Sequence, residues 1–389
     1  MNSFKIKKHN YRLARLSVTR LFAALPVSLV VGHASAIDLY ATTQAGLDSN
    51  PHHLTESHAP EQQEFIYTDI KLSTNYQKKF YAKASAKKTH FINDERGDWF
   101  KSKIDLLFKS KFKLSKSKFR YRISADHNTY DKTYISKTTG NVATYNGQSI
   151  ADRYDSTTTN FKALLSYKTK QNATFKSYFQ QRTKSYESLN IEGLSNLDYG
   201  HNRFGFEVDY RVSDTGKFFA DSGVTTRDYD DRRAKDLQGE DVLNTDLQYD
   251  YKDIKVGYSH RPEKGAHWKY TFKYSMRTDN NSGYWDSDSG YVSIYSKYQF
   301  GDWQSLSTTL KYSKFSYENQ LDTSLESLDE ETKERQGFSL KLNYQWTLAT
   351  LFETEVALYV SLEAATFESS NIIYQYQQNS LAAGIRWTL

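Results

Sequence analysis

Apolar and polar residues alternate with a period of two along most of this chain. In 101–126, Ile104, Leu106, Phe108 and Phe112 share one parity. Lys101, Lys103, Asp105, Lys109 and Lys111 share the other. Phe119, Tyr121 and Ile123 then alternate with Lys118, Arg120 and Arg122. Phe204, Phe206, Val208 and Tyr210 alternate with Arg203, Gly205, Glu207 and Asp209. Phe338, Leu340, Leu342, Tyr344 and Trp346 alternate with Ser339, Lys341, Asn343 and Gln345. Neighbouring side chains of a strand point to opposite faces, so each run predicts a strand with one apolar and one polar face. The pattern predicts sixteen strands: 38–48, 65–76, 80–92, 99–112, 118–130, 157–169, 173–186, 201–212, 217–229, 242–260, 267–278, 290–300, 303–317, 336–346, 350–367 and 374–389. In 242–260 the apolar parity switches between Tyr251 and Ile254. That segment reads as one long bulged strand, or as two with a turn at Lys252 and Asp253.

Short polar turns near 77–79, 113–117, 170–172, 213–216, 261–266, 301–302 and 347–349 alternate with longer polar loops. The loops lie near 49–64, 93–98, 131–156, 187–200, 230–241, 279–289, 318–335 and 368–373. Short turns at one end and long loops at the other predict an all-β fold: a single transmembrane, antiparallel, up-and-down β-barrel. An even strand number is the rule for such single-chain barrels, which favours one strand over 242–260 and about sixteen in all, within a range of 14–18. A soluble sandwich would bury the apolar parity between two sheets. Aromatic residues at the strand ends (Trp99, Phe100, Tyr130, Tyr229, Trp268, Trp303, Trp346 and Trp387) suit a membrane interface instead.

The N-terminus changes how the charge is read. "MNSFKIKKHNYRLARLSVTR" is basic and free of acids, "LFAALPVSLVV" is apolar, and Ala34 and Ala36 follow in small-residue spacing. This layout predicts a cleaved secretory signal over 1–36, with the barrel over 37–389. The chain has 52 Lys and Arg against 46 Asp and Glu; the six basic residues of the first 36 leave with the signal, which brings the remainder to 46 against 46. General affinity for nucleic acid therefore has no support from net charge. The chain has 31 tyrosines, four prolines and no cysteine, which suits strands and excludes disulfides and thiolate metal sites.

Two segments carry a resemblance. "LAAGIRWTL" puts Ile385, Trp387 and Leu389 on one parity and resembles the C-terminal assembly signal of bacterial outer-membrane proteins, with a leucine where the last residue is usually aromatic. That resemblance implies recognition by the barrel assembly machinery and integral residence in the outer membrane of a Gram-negative cell. Asp48, Ser49, Asn50 and Pro51 resemble a segment after the first strand of porin-like barrels associated with exopolysaccharide export. Asx-turn chemistry before a proline explains the same four residues without that resemblance.

In a barrel of this size the polar parity faces an aqueous lumen. It would carry a basic ladder of Lys71, Lys83, Lys87, Lys101, Lys103, Lys109, Lys111, Arg120, Arg122, Lys162, Lys176 and Arg182. Such a ladder would concentrate anions, and Tyr67, Tyr81 and Tyr178 on the same parity could stack on sugar faces. Acids including Asp69, Asp105, Glu207, Asp209, Asp221, Asp246, Asp250, Glu353, Glu355 and Glu363 could instead pair with the bases and leave a mixed-charge pore. The reading is a porin-like channel for small polar or anionic solutes, with acidic oligosaccharides in range. An export barrel for a surface exopolysaccharide, working with periplasmic partners, is the alternative. A lipid-modifying barrel enzyme is a third reading, but no Ser/His spacing stands out, so no catalytic residue is expected. No cofactor or metal is expected either. His52, His53 and His58 with Asp48 and Glu56 could hold a transition metal, although a solvated loop is the simpler reading. The 131–156 loop is the candidate to fold inward as a constriction.

Overall fold

The structure is a computed structural model that describes residues 37–389 except 115–116, 264, 322–331, 352–353 and 389. The expected signal segment, Glu353 and Leu389 therefore lie outside the described residues. The strands are β1 (Ile37–Asp48), β2 (Gln63–Tyr76), β3 (Phe80–Phe91), β4 (Trp99–Leu114), β5 (Ser117–Lys132), β6 (Thr144–Tyr145), β7 (Gln148–Ser149), β8 (Ser156–Lys168), β9 (Ala173–Tyr186), β10 (Tyr199–Arg211), β11 (Gly216–Lys235), β12 (Asp241–His260), β13 (His267–Asp279), β14 (Ser287–Phe300), β15 (Gln304–Leu321), β16 (Thr332–Leu351), β17 (Thr354–Ser369) and β18 (Tyr376–Thr388). β6 and β7 form a small hairpin inside one loop. The other strands each pair antiparallel with their neighbours in sequence, and β1 pairs with β18, so among the described residues sixteen strands close a barrel. Closure leaves no unpaired edge, the condition for a sheet in lipid.

The segment 242–260 is one strand. β12 pairs with β13 from Tyr249↔Asp279 to His260↔Trp268 without a register shift. The switch in apolar parity has a different cause: Leu247 and Tyr249 are buried against Ala234 on the inner side, whereas Ile254 and Val256 are exposed outside. β11, β15 and β16 run past their expected ends into polar sequence. There they extend the wall beyond the apolar band. The turn expected at 347–349 falls inside β16, which shifts register between Thr347 and Ala349.

The two faces are told apart by contacts that skip a strand. Chords across a concave wall are short, so side chains that meet over an intervening strand lie inside. Arg203 on β10 bonds Asp253 on β12, Lys162 on β8 lies 3.6 Å from Glu207 on β10, and Tyr359 on β17 bonds Gln44 on β1 at 2.5 Å. The opposite parity is an apolar belt: Ile70, Leu106, Phe108, Phe204, Phe206, Phe218, Val224, Val292, Phe338 and Val360 are all exposed. So many exposed large apolar side chains on one face mark a lipid-facing surface. Trp268, Trp346 and Trp387 sit on that face near the short-turn end, where an aromatic girdle belongs. Trp99, Tyr130 and Tyr229 do not join it. They share the inner parity: Trp99 packs on Tyr67, Tyr130 pairs with Lys101, and Tyr229 contacts Tyr199 and Tyr249.

Candidate functional site

Every member of the expected basic ladder lies on the inner parity, but the ladder is not uniform. Its middle is neutralised. Asp69 takes Lys71 at 2.7 Å and Lys87 at 3.4 Å. Lys103 sits at 2.5 Å from Asp105 and 3.7 Å from Asp126. Lys176 lies 2.9 Å from both Glu207 and Asp209. Among the described residues no carboxylate pairs with Lys83, Lys101, Lys109, Lys111, Arg120, Arg122 or Arg182. Lys109, Lys111, Arg120 and Arg122 form one group of these, beside the short turn between β4 and β5, with Lys109↔Arg122 and Lys111↔Arg120 directly opposite. Like charges at such spacing stand together only where water and anions screen them.

Asp250, expected on the lumen wall, lies on the outer parity, where Thr226 Oγ1 donates to it at 2.8 Å. Asp253 takes the inner place. Taking the apolar Leu247, Tyr249 and Tyr251 for the lipid face put Asp250 inside, whereas these residues face inward.

A second cationic group goes beyond the expected ladder. Arg227, Arg277 and Arg335 line the inner wall of β11, β13 and β16, alongside the expected Arg182 of β9, and Arg386 lies nearer the short-turn end of β18. Aromatic rings, in place of carboxylates, hold most of them. Arg227 lies over Tyr199 at 4.5 Å and Tyr251 at 5.1 Å; Arg277 over Tyr249 at 4.8 Å; Arg335 over Phe367 at 4.7 Å; and Arg386 over Tyr40 and Tyr359, each at 5.2 Å. Such stacking orients a guanidinium and leaves its charge unspent. Arg335 borders a recess of about 730 Å³ between β13 and β17, lined also by Lys273, Trp285 and Tyr317. The available signal was parity: each arginine occupies the polar parity of its own strand, one per strand, with no local cluster to mark it.

Two loops cover the long-loop mouth. Residues 49–62 were expected as a solvated loop, yet Leu54 and Asn50 are 1% and 2% exposed. Asn50 Nδ2 donates to Leu54 O and to Gln377 O, and Asn50 Oδ1 accepts from Leu54 N. Asp48 Oδ1 accepts from Asn50 N, and Ser49 Oγ accepts from Asn379 N. The Asp48–Pro51 segment thus clasps the seam between first and last strands. The long loop folds inward as expected: Lys137 reaches Tyr374 and Tyr376, Arg96 donates to Gly140 O, and Tyr145 Oη donates to Gly193 O. It bridges loops from opposite parts of the rim.

The histidines of the first loop are structural in character. His53 stacks on Tyr376, ring centroids 4.6 Å apart and planes 5° apart. Burial, reinforced by Lys132, Lys137 and Arg335, pushes its imidazole down to about 4. His52 Nε2 meets Asp94 Oδ2 at 3.1 Å, and its own basicity is lowered by burial. Burial works against the Asp94 carboxylate, but hydrogen bonds from Arg96 and His52 hold it below the usual range. Among the described residues no group of three or more His, Asp or Glu could hold a metal. One Ser–His contact escaped the sequence reading: Ser259 Oγ lies 3.0 Å from His267 Nε2 at the short-turn end. Among the described residues no carboxylate orients that ring, so it lacks the third member of a hydrolytic triad.

A closed barrel of sixteen antiparallel strands with a lipid-facing belt and a polar lumen defines an integral β-barrel of the bacterial outer membrane, in the porin-like class. Solved structures of similar fold include the outer membrane protein OpdK of Pseudomonas aeruginosa, with 11% identity, 92% of this chain and 100% of that chain covered, and a TM-score of 0.46. OccAB1 of Acinetobacter baumannii is similar at 8% identity, covering 92% and 97%, with a TM-score of 0.44. A bacterial polysaccharide outer membrane secretin is similar at 7% identity, covering 92% and 98%, with a TM-score of 0.41. No family model and no curated protein sequence matches the chain.

Proposed function

We propose that this protein is a non-enzymatic channel that lets small polar and anionic solutes cross the outer membrane, acidic oligosaccharides among them. The observation that carries this reading is the pairing pattern of the lumen charges. Acids neutralise the middle of the basic ladder, while cations that have no carboxylate partner among the described residues remain at the short-turn end, in Lys109, Lys111, Arg120 and Arg122, and along the arginines of the inner wall. Fixed surplus charge in a low-dielectric tube concentrates counter-ions and sets ion selectivity. Loops that contact one another at the long-loop mouth would narrow the path and favour small solutes over a polymer. The same reading includes delivery by the 1–36 signal and assembly through Ile385, Trp387 and Leu389. Ile385 and Trp387 lie on the lipid face of β18.

The test is purified protein in a planar bilayer under a salt gradient. Anion selectivity is expected. Cation selectivity, or no conductance at all, would sink the reading.

A further inference from the structure

Register places Arg182, His201 and Arg227 side by side on β9, β10 and β11: His201 is opposite Arg182 on one flank and Arg227 on the other. Three nitrogen-rich side chains thus occupy one row of the inner wall. The two guanidiniums come from strands about 10 Å apart. Adjacent cations of this kind normally recruit an acid. Here Asp253, the acid on the inner face two strands along, is taken by both Nη atoms of Arg203. Among the described residues Arg182 and Arg227 have no carboxylate partner. Among the described residues Nε of Arg182, Nε of Arg227 and Nδ1 of His201 are buried and lack a hydrogen-bond partner. Buried polar atoms are rarely left unused, and three in one row leave this stretch of wall with spare hydrogen-bonding capacity for a ligand.

The surroundings narrow its chemistry. Arg227 is stacked between Tyr199 and Tyr251, and its Nη1 donates to Tyr229 Oη at 3.4 Å. A planar guanidinium oriented by rings, as that of Arg227 is, matches the two oxygens of a carboxylate. Phenol hydroxyls and ring faces beside them suit the hydroxyls and apolar face of a sugar. We propose that Arg182, His201 and Arg227 form a binding site for the carboxylate of an acidic saccharide, a uronate, near the long-loop mouth. This rests on the anion-channel reading and adds a capture site to it. The site holds a solute by one charged end while the rest of the lumen stays open.

The test is current blockade of single channels in a planar bilayer by a galacturonate trisaccharide, with maltotriose and a sulfated trisaccharide as comparison arms. The galacturonate is expected to give resolved blockades, more frequent when it is added from the long-loop side, and maltotriose none. In an R182Q/R227Q variant the blockade lifetime is expected to fall by about tenfold or more, the effect of losing at least one charge-assisted hydrogen bond. Conducting variant channels report an inserted barrel. An R182K/R227K variant keeps the charge and loses the planar fork, and its lifetime is expected between the two. Unchanged blockades in R182Q/R227Q, or equal blockade by maltotriose, would overturn the site. Stronger blockade by the sulfated sugar would overturn the carboxylate assignment. An anion-selective channel without galacturonate blockade would remove this site and leave the channel reading standing, whereas cation selectivity would remove both.

Discussion

Asn50 donates from one side-chain nitrogen to Leu54 O at 2.7 Å and to Gln377 O at 3.0 Å, tying the first loop to the last strand. Its Oδ1 closes the ring by accepting from Leu54 N at 2.9 Å. One buried amide therefore satisfies a loop backbone and bridges the seam where β1 meets β18. Asn50→Ala removes all three bonds and strands buried backbone groups. The expected cost is about 1–3 kcal/mol. It should appear as a lower temperature for the loss of the compact, heat-modifiable gel band, together with faster proteolysis within 49–62. Asn50→Asp keeps one acceptor but sets a buried carboxylate against the two carbonyl oxygens beside Asp48, so it should cost at least as much as Asn50→Ala.

Arg203 reaches Asp253 across β11 because Gly223 leaves room beneath it. A Cβ on Gly223 would lie 2.6 Å from Arg203 Nη2 and 2.9 Å from Phe204 O. The first of these can swing away, but the second is backbone. Gly223→Ala should displace the guanidinium from Asp253 and weaken the wall between β10 and β12. The expected loss is about 1–3 kcal/mol, the cost of leaving a partly buried partner unsatisfied. Urea unfolding in detergent, followed by tryptophan fluorescence, measures it. Asp253→Asn in the Gly223→Ala background should then cost little more, since the bond is already gone.

Selectivity should depend on where a cation sits more than on how many are removed. Lys176 is held between Glu207 and Asp209, so Lys176→Gln frees acids as it removes a base. Among the described residues Lys109, Lys111, Arg120 and Arg122 have no such partners. Reversing those four to Glu should turn an anion-preferring channel toward cations. Lys71→Gln, beside the Asp69 that it shares with Lys87, should shift reversal potential much less than K111Q. A larger shift from Lys71→Gln would show that the ion-paired middle sets selectivity.

The strands were legible because period-two alternation is local. β9 (Ala173–Tyr186) has its expected bounds, and most others differ by one to four residues at either end. The lumen-facing lysines were legible for the same reason, since Lys109, Lys111, Arg120 and Arg122 sit in one hairpin. Arg227, Arg277 and Arg335 were hidden because a barrel gathers them around its circumference, one from each strand, and no window of sequence holds two of them. Trp99, Tyr130 and Tyr229 misled for a physical reason too. A ring at a strand end suits a lipid interface or an aromatic lining at the mouth equally well, and parity alone tells them apart. The first loop reads as polar, yet it is packed, because Asn50 supplies hydrogen bonds that no pattern of hydrophobicity records.

His53 sets the last expectation. Its ring lies flat on Tyr376, with Lys132, Lys137 and Arg335 as the cations around it and Gln378 as a hydrogen-bonding partner. Close by, His52 contacts Asp94, and Asp94 is held by Arg96. With the packed-state value at about 4 and a freed histidine near 6.5, protons favour the released loop. The packed loop is therefore fully favoured above about pH 6.5, loses stability as the pH falls through that value, and stops losing it below about 4. Proteolysis within 49–62, followed between pH 7 and pH 4 with an acid-stable protease and corrected for its own pH profile, should accelerate toward the acid end. Channel conductance should become noisier over the same window. His53→Phe keeps a flat ring against Tyr376 and cannot take a proton, so it should flatten the dependence. An unchanged pH profile in that variant would move the response to His52 and Asp94, where His52→Gln would test it directly.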